Sequence, residues 1–295
     1  MANRLTGKIA LVTGSSRGIG RAVAQRLAAE GATVVVTARS RQASESIRNG
    51  RVSTIAGSLD ETVELIEAAG GRAIAIPADI DDPQDLDRLV GEAVEHTGRL
   101  DILVNNAGFA DYAPIAEMPA ATFDRTVNHY LRVPFLLSQM AIPHMRKQGR
   151  GWIVNIGSST GMSPIRPFRE YNKTSGDVVY ASMKAALHRF TQGLAAETLD
   201  DDIAVNAVGP STAIMTPGAA ELLPDGYETE PVEYLAETVL AMCHLPAADR
   251  TGHVAFSLHY PWSTGLPVMT LDGGTELPRR QPPEWANPNI RPEGL

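Results

Sequence analysis

The stretch from residue 8 to residue 37 constrains the fold most. An apolar run at residues 8–13 stops at glycines. Residues 21–30 carry apolar side chains at helical spacing and end at Gly31, and residues 33–37 (TVVVT) form a β-branched run. Strand, helix and strand at this spacing make a βαβ unit, whose strands lie parallel. A parallel sheet is buried on both faces, so the rest of the chain has to supply helices for both.

It does so. Further strands are expected at residues 73–77, 100–104, 152–156, 203–208 and 253–257. Helices are expected at 84–96, opened by Asp82 and Pro83, at 120–147 with kinks or breaks at Pro134 and Pro143, at 179–199 and at 232–245. The expectation is an α/β protein: a single doubly wound Rossmann domain over residues 1–258, with a seven-stranded parallel sheet and helices on both faces. Three segments break the alternation. Those near 40–59 and 162–177 read as insertions. Residues 259–295, rich in proline and tryptophan, read as a C-terminal extension packed on the same domain or on a neighbouring subunit.

Composition excludes several classes. A net charge of −8 over 295 residues argues against a nucleic-acid or anionic-membrane surface. The single cysteine, Cys243, leaves no intramolecular disulfide to form and reads as a small buried apolar residue. The seven histidines lack ligand-like spacing, so no metal is expected. The first residues lack the apolar core of a signal peptide, and no apolar run approaches the ~20 residues of a membrane span. A soluble cytoplasmic protein is expected.

Between the first strand and the first helix stands TGSSRGIG, residues 13–20. Gly14, Gly18 and Gly20 permit a tight turn and close backbone approach to a pyrophosphate, with Ser16, Arg17 and Ile19 beside it. The helix N-terminus adds free N–H groups and a positive dipole end. The second strand ends at Ala38, Arg39 and Ser40. An acidic residue there would bind the 2′-hydroxyl of NAD; Arg39, with Arg17 nearby, favours the 2′-phosphate of NADP(H) over NAD(H).

Four more stretches stand in order after this loop: NNAG at 105–108, Asn128 in TVNH, VNIGS at 154–158 and YASMK at 180–184. Taken together the chain resembles the short-chain dehydrogenase/reductase family. The resemblance implies that Tyr180 is the general acid/base, that Lys184 lowers the tyrosine pKa and holds the nicotinamide ribose, and that Ser158 hydrogen-bonds the substrate oxygen. It implies that Asn128 supports a water linking Lys184 to solvent. It also places Asp79 and Ile80 by the adenine, and Asn106, Ala107 and Gly108 along the cofactor groove. Asn105 either joins them or ties strands together. Pro210 and Thr216 fall near the nicotinamide. The family's Pro-Gly is here Pro210-Ser211, which puts the local backbone path in question.

Physical chemistry supports the tyrosine independently. A free tyrosine titrates near pKa ~10, and a nearby ammonium favours its phenolate. Residues four apart share a helix face, so Tyr180 and Lys184 can act together. Tyr171 and Lys173, two apart, cannot, and Gly176 interrupts a helix there. Tyr180 lies later after Ser158 than is usual in the family, which an insertion of about nine residues within 162–177 explains. Tyr171 then sits on the inserted loop, as a specificity residue or as loop packing.

The expected activity is NADP(H)-dependent interconversion of a ketone or aldehyde and an alcohol. Phe109, Tyr112, Met162, Ile165, Phe168, Met215 and Leu222 suggest an apolar or mixed small-molecule substrate. A non-redox enzyme of lyase or dehalogenase type and a cofactor-sensing binding protein are the alternatives. The glycine loop with both arginines argues against the first. Retention of Tyr180 and Lys184 argues against the second. The resemblance also implies a homodimer or homotetramer built on the helices bearing Asn128 and Tyr180.

Overall fold

The computed structural model describes residues 3–43, 45–48, 51–219, 223 and 226–294, with backbone alone for 45–48 and 51–54. The chain opens with β1 (Ile9–Thr13), α1 (Gly18–Ala29) and β2 (Thr33–Thr37), the expected βαβ unit. The polar segment after β2 forms an antiparallel hairpin of β3 (Glu45–Arg48) and β4 (Arg51–Thr54). A helix not foreseen from the sequence follows, α2 (Leu59–Ala68), whose N-cap Ser58 accepts the Glu61 N–H at 3.1 Å. Then come β5 (Arg72–Ala75), α3 (Pro83–Thr97) and β6 (Ile102–Asn105). Asp82 caps α3 by accepting the Gln84 N–H at 2.8 Å, with Pro83 in the first turn where its missing N–H costs nothing.

The next helical stretch runs through α4 (Ala120–Val127), a π-helical turn (Asn128–Arg132) and α5 (Val133–Gln148). The expected breaks at Pro134 and Pro143 do not occur. The Val133 N–H reaches back to the Asn128 carbonyl, an i→i+5 bond, and Pro134 falls in the first turn of α5, while Pro143 lies inside it. After β7 (Gly151–Ile156) the chain makes a short exposed helix, α6 (Glu170–Thr174), then the long α7 (Val178–Glu197). It ends with β8 (Ile203–Gly209), α8 (Val232–Ala241), β9 (Val254–Phe256) and α9 (His259–Thr264).

Seven strands form one parallel sheet in the order β5-β2-β1-β6-β7-β8-β9. Successive residues of a strand feed opposite cores. Ala10, Val12, Val34 and Val36 pack on one face with α1, α2 and α8; Ile9, Leu11, Val35 and Leu103 pack on the other with α3, α5 and α7. This two-sided burial is why the strands read as unbroken apolar runs. Outside the sheet, α1 is clamped to α8 by a buried ion cluster. Arg26 reaches Glu237 at 2.6 Å and Glu30 at 2.7 Å, and Arg4 reaches the same two carboxylates at 2.8 and 3.0 Å.

The strand order reverses between β1 and β6, because the chain moves outward to β2 and β5 before crossing back. Beyond the carboxyl ends of those two strands their loops part and leave a crevice. Among the described residues no helix is long and apolar enough to cross a membrane.

Candidate active site

A cleft of about 1490 Å³ runs over the carboxyl ends of the strands. It exceeds the ~300–1,000 Å³ of a site for one small ligand, which leaves room for a dinucleotide and a second molecule.

One end is the glycine loop. Gly14 has φ +65, and a Cβ there would stand 2.8 Å from the Ala107 Cα. A Cβ on Gly20 would fall 2.3 Å from the Gly14 carbonyl oxygen. These positions therefore need glycine, and the backbone they shape opens the N-terminus of α1 toward the cleft, a ready cradle for a pyrophosphate. Asn106 braces the cradle from β6: its Nδ2 donates to the carbonyls of Thr13 at 2.7 Å and Gly14 at 3.1 Å. Asn105 does not line the cleft; its Nδ2 donates to the Asn155 Oδ1 at 2.8 Å and ties β6 to β7. The residues present thus fit a dinucleotide.

Gly14, Ser16, Arg17, Gly18, Ile19, Gly20, Arg39, Asp79, Ile80, Asn106, Ala107, Gly108, Pro210 and Thr216 all line this cleft. The Ser40 hydroxyl donates to the Gln42 carbonyl at 2.8 Å. Arg17 donates to the carbonyls of Ile55 and Ala56, so it also anchors the segment after the β3–β4 hairpin.

At the centre, α7 presents Tyr180, Lys184 and His188, each four residues apart and so on one face. Tyr180 and Ser158, which stands just beyond the end of β7, both line this part of the cleft. Lys184, 4% exposed, donates from Nζ to the Ile156 carbonyl at 2.6 Å. Burial lowers its pKa to about 7. His188 Nε2 accepts the Ser158 N–H at 3.4 Å. Burial and the nearby Lys184 charge lower the His188 pKa to about 4, which leaves the ring a neutral acceptor that fixes the Ser158 backbone.

Burial pushes the Tyr180 pKa up to about 12, against a lowering effect of the Ser158 side chain. Lys184 Nζ stands 5.6 Å from the Tyr180 ring centroid.

Asn128 donates from its Nδ2 to the Asp81 Oδ1 at 3.0 Å. The residue that faces Lys184 from this helix is Tyr130, with Nζ 4.1 Å from its ring centroid. The π turn adds a residue to one helical turn, so the face of each side chain cannot be counted off at 3.6 per turn. His129, beside it, is buried and bonds Asp81 at 2.8 Å.

The loop after β7 and the tail complete the cleft. Tyr171 stands half exposed on α6, away from Lys184, and donates its hydroxyl to Asp177 at 3.2 Å. Tyr112 packs edge-on against Tyr180 at 5.3 Å between ring centroids. Phe109, Met162, Ile165 and Phe168 line the cleft; Met215 is exposed outside its lining, and Leu222 lies outside the described residues. Trp285, from the tail of the same chain, lines it too and packs on Tyr227 at 5.6 Å. The Pro210-Ser211 departure also has a structural account. The Ser211 hydroxyl accepts the Leu258 N–H at 2.9 Å and meets the His259 Nδ1 at 2.9 Å, joining the loop to α9. Glu230 supports it from behind, accepting the Ser211 N–H at 3.2 Å and the Ser257 hydroxyl.

Sequence reasoning missed Tyr130, His188, Glu230 and Trp285. Only His188 carried a readable signal, as the third member of the i, i+4, i+8 row on α7.

Comparison with known proteins agrees with this geometry. The short chain dehydrogenase family pattern matches residues 8–225. An uncharacterized oxidoreductase of Thermotoga maritima is 36% identical over 280 residues, covering 91% of this chain and 97% of that protein. A hydroxynaphthalene reductase-like protein, Arp2, of Metarhizium robertsii is 34% identical, covering 92% and 96%. The crystal structure of a short chain dehydrogenase from Burkholderia cenocepacia in complex with NADP superposes with a TM-score of 0.68 at 34% identity, covering 84% of this chain and 95% of that one.

Proposed function

Because this chain belongs to the short-chain dehydrogenase family of oxidoreductases, we propose that it interconverts a ketone and an alcohol with NADP(H). The observation that carries the reading is Tyr180 and Lys184 one turn apart on α7, lining with Ser158 the head of a glycine-cradled cleft. When bound, NADPH supplies a hydride to the carbonyl carbon. Tyr180 gives its hydroxyl proton to the carbonyl oxygen and is left a phenolate. The Ser158 hydroxyl donates to the same oxygen, and the Lys184 ammonium stabilises the phenolate.

Arg39 and Arg17 on the cleft lining, with no acid at the end of β2, support NADP(H) over NAD(H). The NADP complex of the Burkholderia cenocepacia relative agrees. The walls formed by Tyr112, Met162, Phe168 and Trp285 suit a planar aromatic ketone, in keeping with the hydroxynaphthalene in the name of the Metarhizium robertsii relative. Exposed Phe123 on α4 and Phe135 on α5 support self-association on that face as a homodimer or homotetramer.

Titration with NADPH and NADH, followed by a screen of aryl ketones, tests the reading. Tighter NADPH binding and ketone reduction that disappears in Tyr180→Phe are expected. Binding of neither nucleotide would overturn it.

A further inference from the structure

Lys184 presents a problem that its surroundings answer in an unusual way. Its Nζ is buried, yet among the described residues no carboxylate lies within ion-pair distance of it. The groups that face it are the Ile156 carbonyl and Ser158 from β7, Tyr180 and His188 from its own helix, and Tyr130 from the π turn. His188 is neutral and Ser158 carries no charge, so none of these is an anion at rest. A buried ammonium without compensation loses its proton. An amine at this position could not steady a phenolate.

Beside the Ile156 carbonyl, which accepts from Nζ, and the Tyr180 ring at 5.6 Å, the Tyr130 ring is the nearer aromatic face placed to offset this. Nζ lies 4.1 Å from its ring centroid, inside the ~6 Å range over which an aromatic quadrupole attracts a cation. The ring is fixed on three sides. Its hydroxyl donates to the Phe109 carbonyl. Its edge meets Gly108 so closely that a Cβ there would fall 2.7 Å from the ring. Its plane stands at 90° to the Tyr180 ring, 5.2 Å away. The same ring thus touches both members of the proton-handling pair.

We propose that Tyr130 is a positioning residue whose ring holds the Lys184 side chain in its charged form beside Tyr180. This rests on the reading of Tyr180 and Lys184 as the pair that moves the proton. The π turn serves it by rotating Tyr130, and not Asn128, onto Lys184. Gly108 then has a second role, as the clearance that lets the ring enter.

The test replaces the ring's electrons and leaves its shape. Phenylalanine and its mono-, di- and trifluorinated forms are placed at position 130, with Tyr130→Leu as the ringless variant. The Lys184 pKa is read by NMR on protein labelled with ¹³C-lysine, assigned with Lys184→Arg. Tyr130→Phe keeps the wild-type lysine pKa. Fluorination lowers it stepwise, by about one unit across the series, and the alkaline limb of ketone reduction falls with it. A lysine pKa that ignores fluorination overturns the proposal, as does an alkaline limb that stays fixed while the lysine pKa moves. The lysine titration needs no turnover. Failure of the wild-type protein to bind NADPH would separately expose failure of the parent reading, and the titration would still decide whether the ring holds the ammonium.

Discussion

Arg169 Nη1 donates to the main-chain oxygen of Trp285 at 2.8 Å, joining the loop after β7 to the C-terminal tail. Asn289 adds a second tie, from its Nδ2 to the Ser163 carbonyl at 2.9 Å. One wall of the substrate half of the cleft is thus built from segments more than a hundred residues apart.

Removing that wall should loosen the substrate and spare the cofactor. Trp285→Ala is expected to raise KM for an aryl ketone roughly tenfold, about 1.4 kcal/mol of lost contact, with kcat and NADPH affinity little changed. Steady-state kinetics beside a nucleotide titration checks this. An equal loss of NADPH affinity would place Trp285 in the wrong half of the cleft.

Arg39 should discriminate between nucleotides. Arg39→Asp is expected to weaken NADPH binding by ~10- to 100-fold and to leave NADH binding unchanged or stronger, because a charge-assisted phosphate contact is lost and a ribose acceptor gained. Fluorescence titration with both nucleotides measures it. Equal weakening of both would remove Arg39 from the 2′-position.

Stability should depend on pH through Glu230. Burial raises its pKa to about 7, against the hydrogen bonds of Ser257 and Thr212. Its folded pKa lies above its unfolded one. Its contribution is therefore full below about pH 4.5 and is lost as pH rises through about 7. Glu230→Gln should remove this dependence, gaining on wild type across that window by on the order of 2 kcal/mol. Glu30 and Asp81 act at the acid end. Burial alone would raise both carboxyls, but arginine contacts to Glu30 and His129 to Asp81 lower them to about 2, so their contributions are lost as pH falls from about 4 toward 2. Melting temperatures of both proteins from pH 3 to 8 test the signs.

The ion cluster between α1 and α8 should be costly to break. Glu237→Gln leaves Arg26, 1% exposed, without its 2.6 Å partner charge. A loss of ~3–5 kcal/mol is expected, because Arg26 and Arg4 are left sharing Glu30 alone and the cluster's second positive charge keeps its desolvation cost. Urea denaturation measures it; a loss below about 1 kcal/mol would mean the cluster is solvated.

The parallel sheet was legible because burial on both faces writes each strand as an apolar run, and the glycine loop because a Cβ cannot fit at Gly14 or Gly20. Tyr180 and Lys184 were legible because they stand four apart on a regular helix. Tyr130 was illegible for the converse reason: its helix is not regular, and the π turn that brings it to Lys184 leaves no mark in the hydrophobic pattern. Trp285 was illegible because the proline-rich tail has no period, and its position follows from single bonds to distant loops.

The central claim is that Tyr180 hands the proton to the substrate oxygen. The most direct measurement follows deuterium from 4-deuterated NADPH into an aryl alcohol product, in wild type and in Tyr180→Phe, with NADPH affinity measured on both. The account predicts deuterium at the carbinol carbon in wild type, and turnover ~10²–10⁴-fold lower in the variant at unchanged NADPH affinity. Undiminished deuterium transfer by Tyr180→Phe would contradict it.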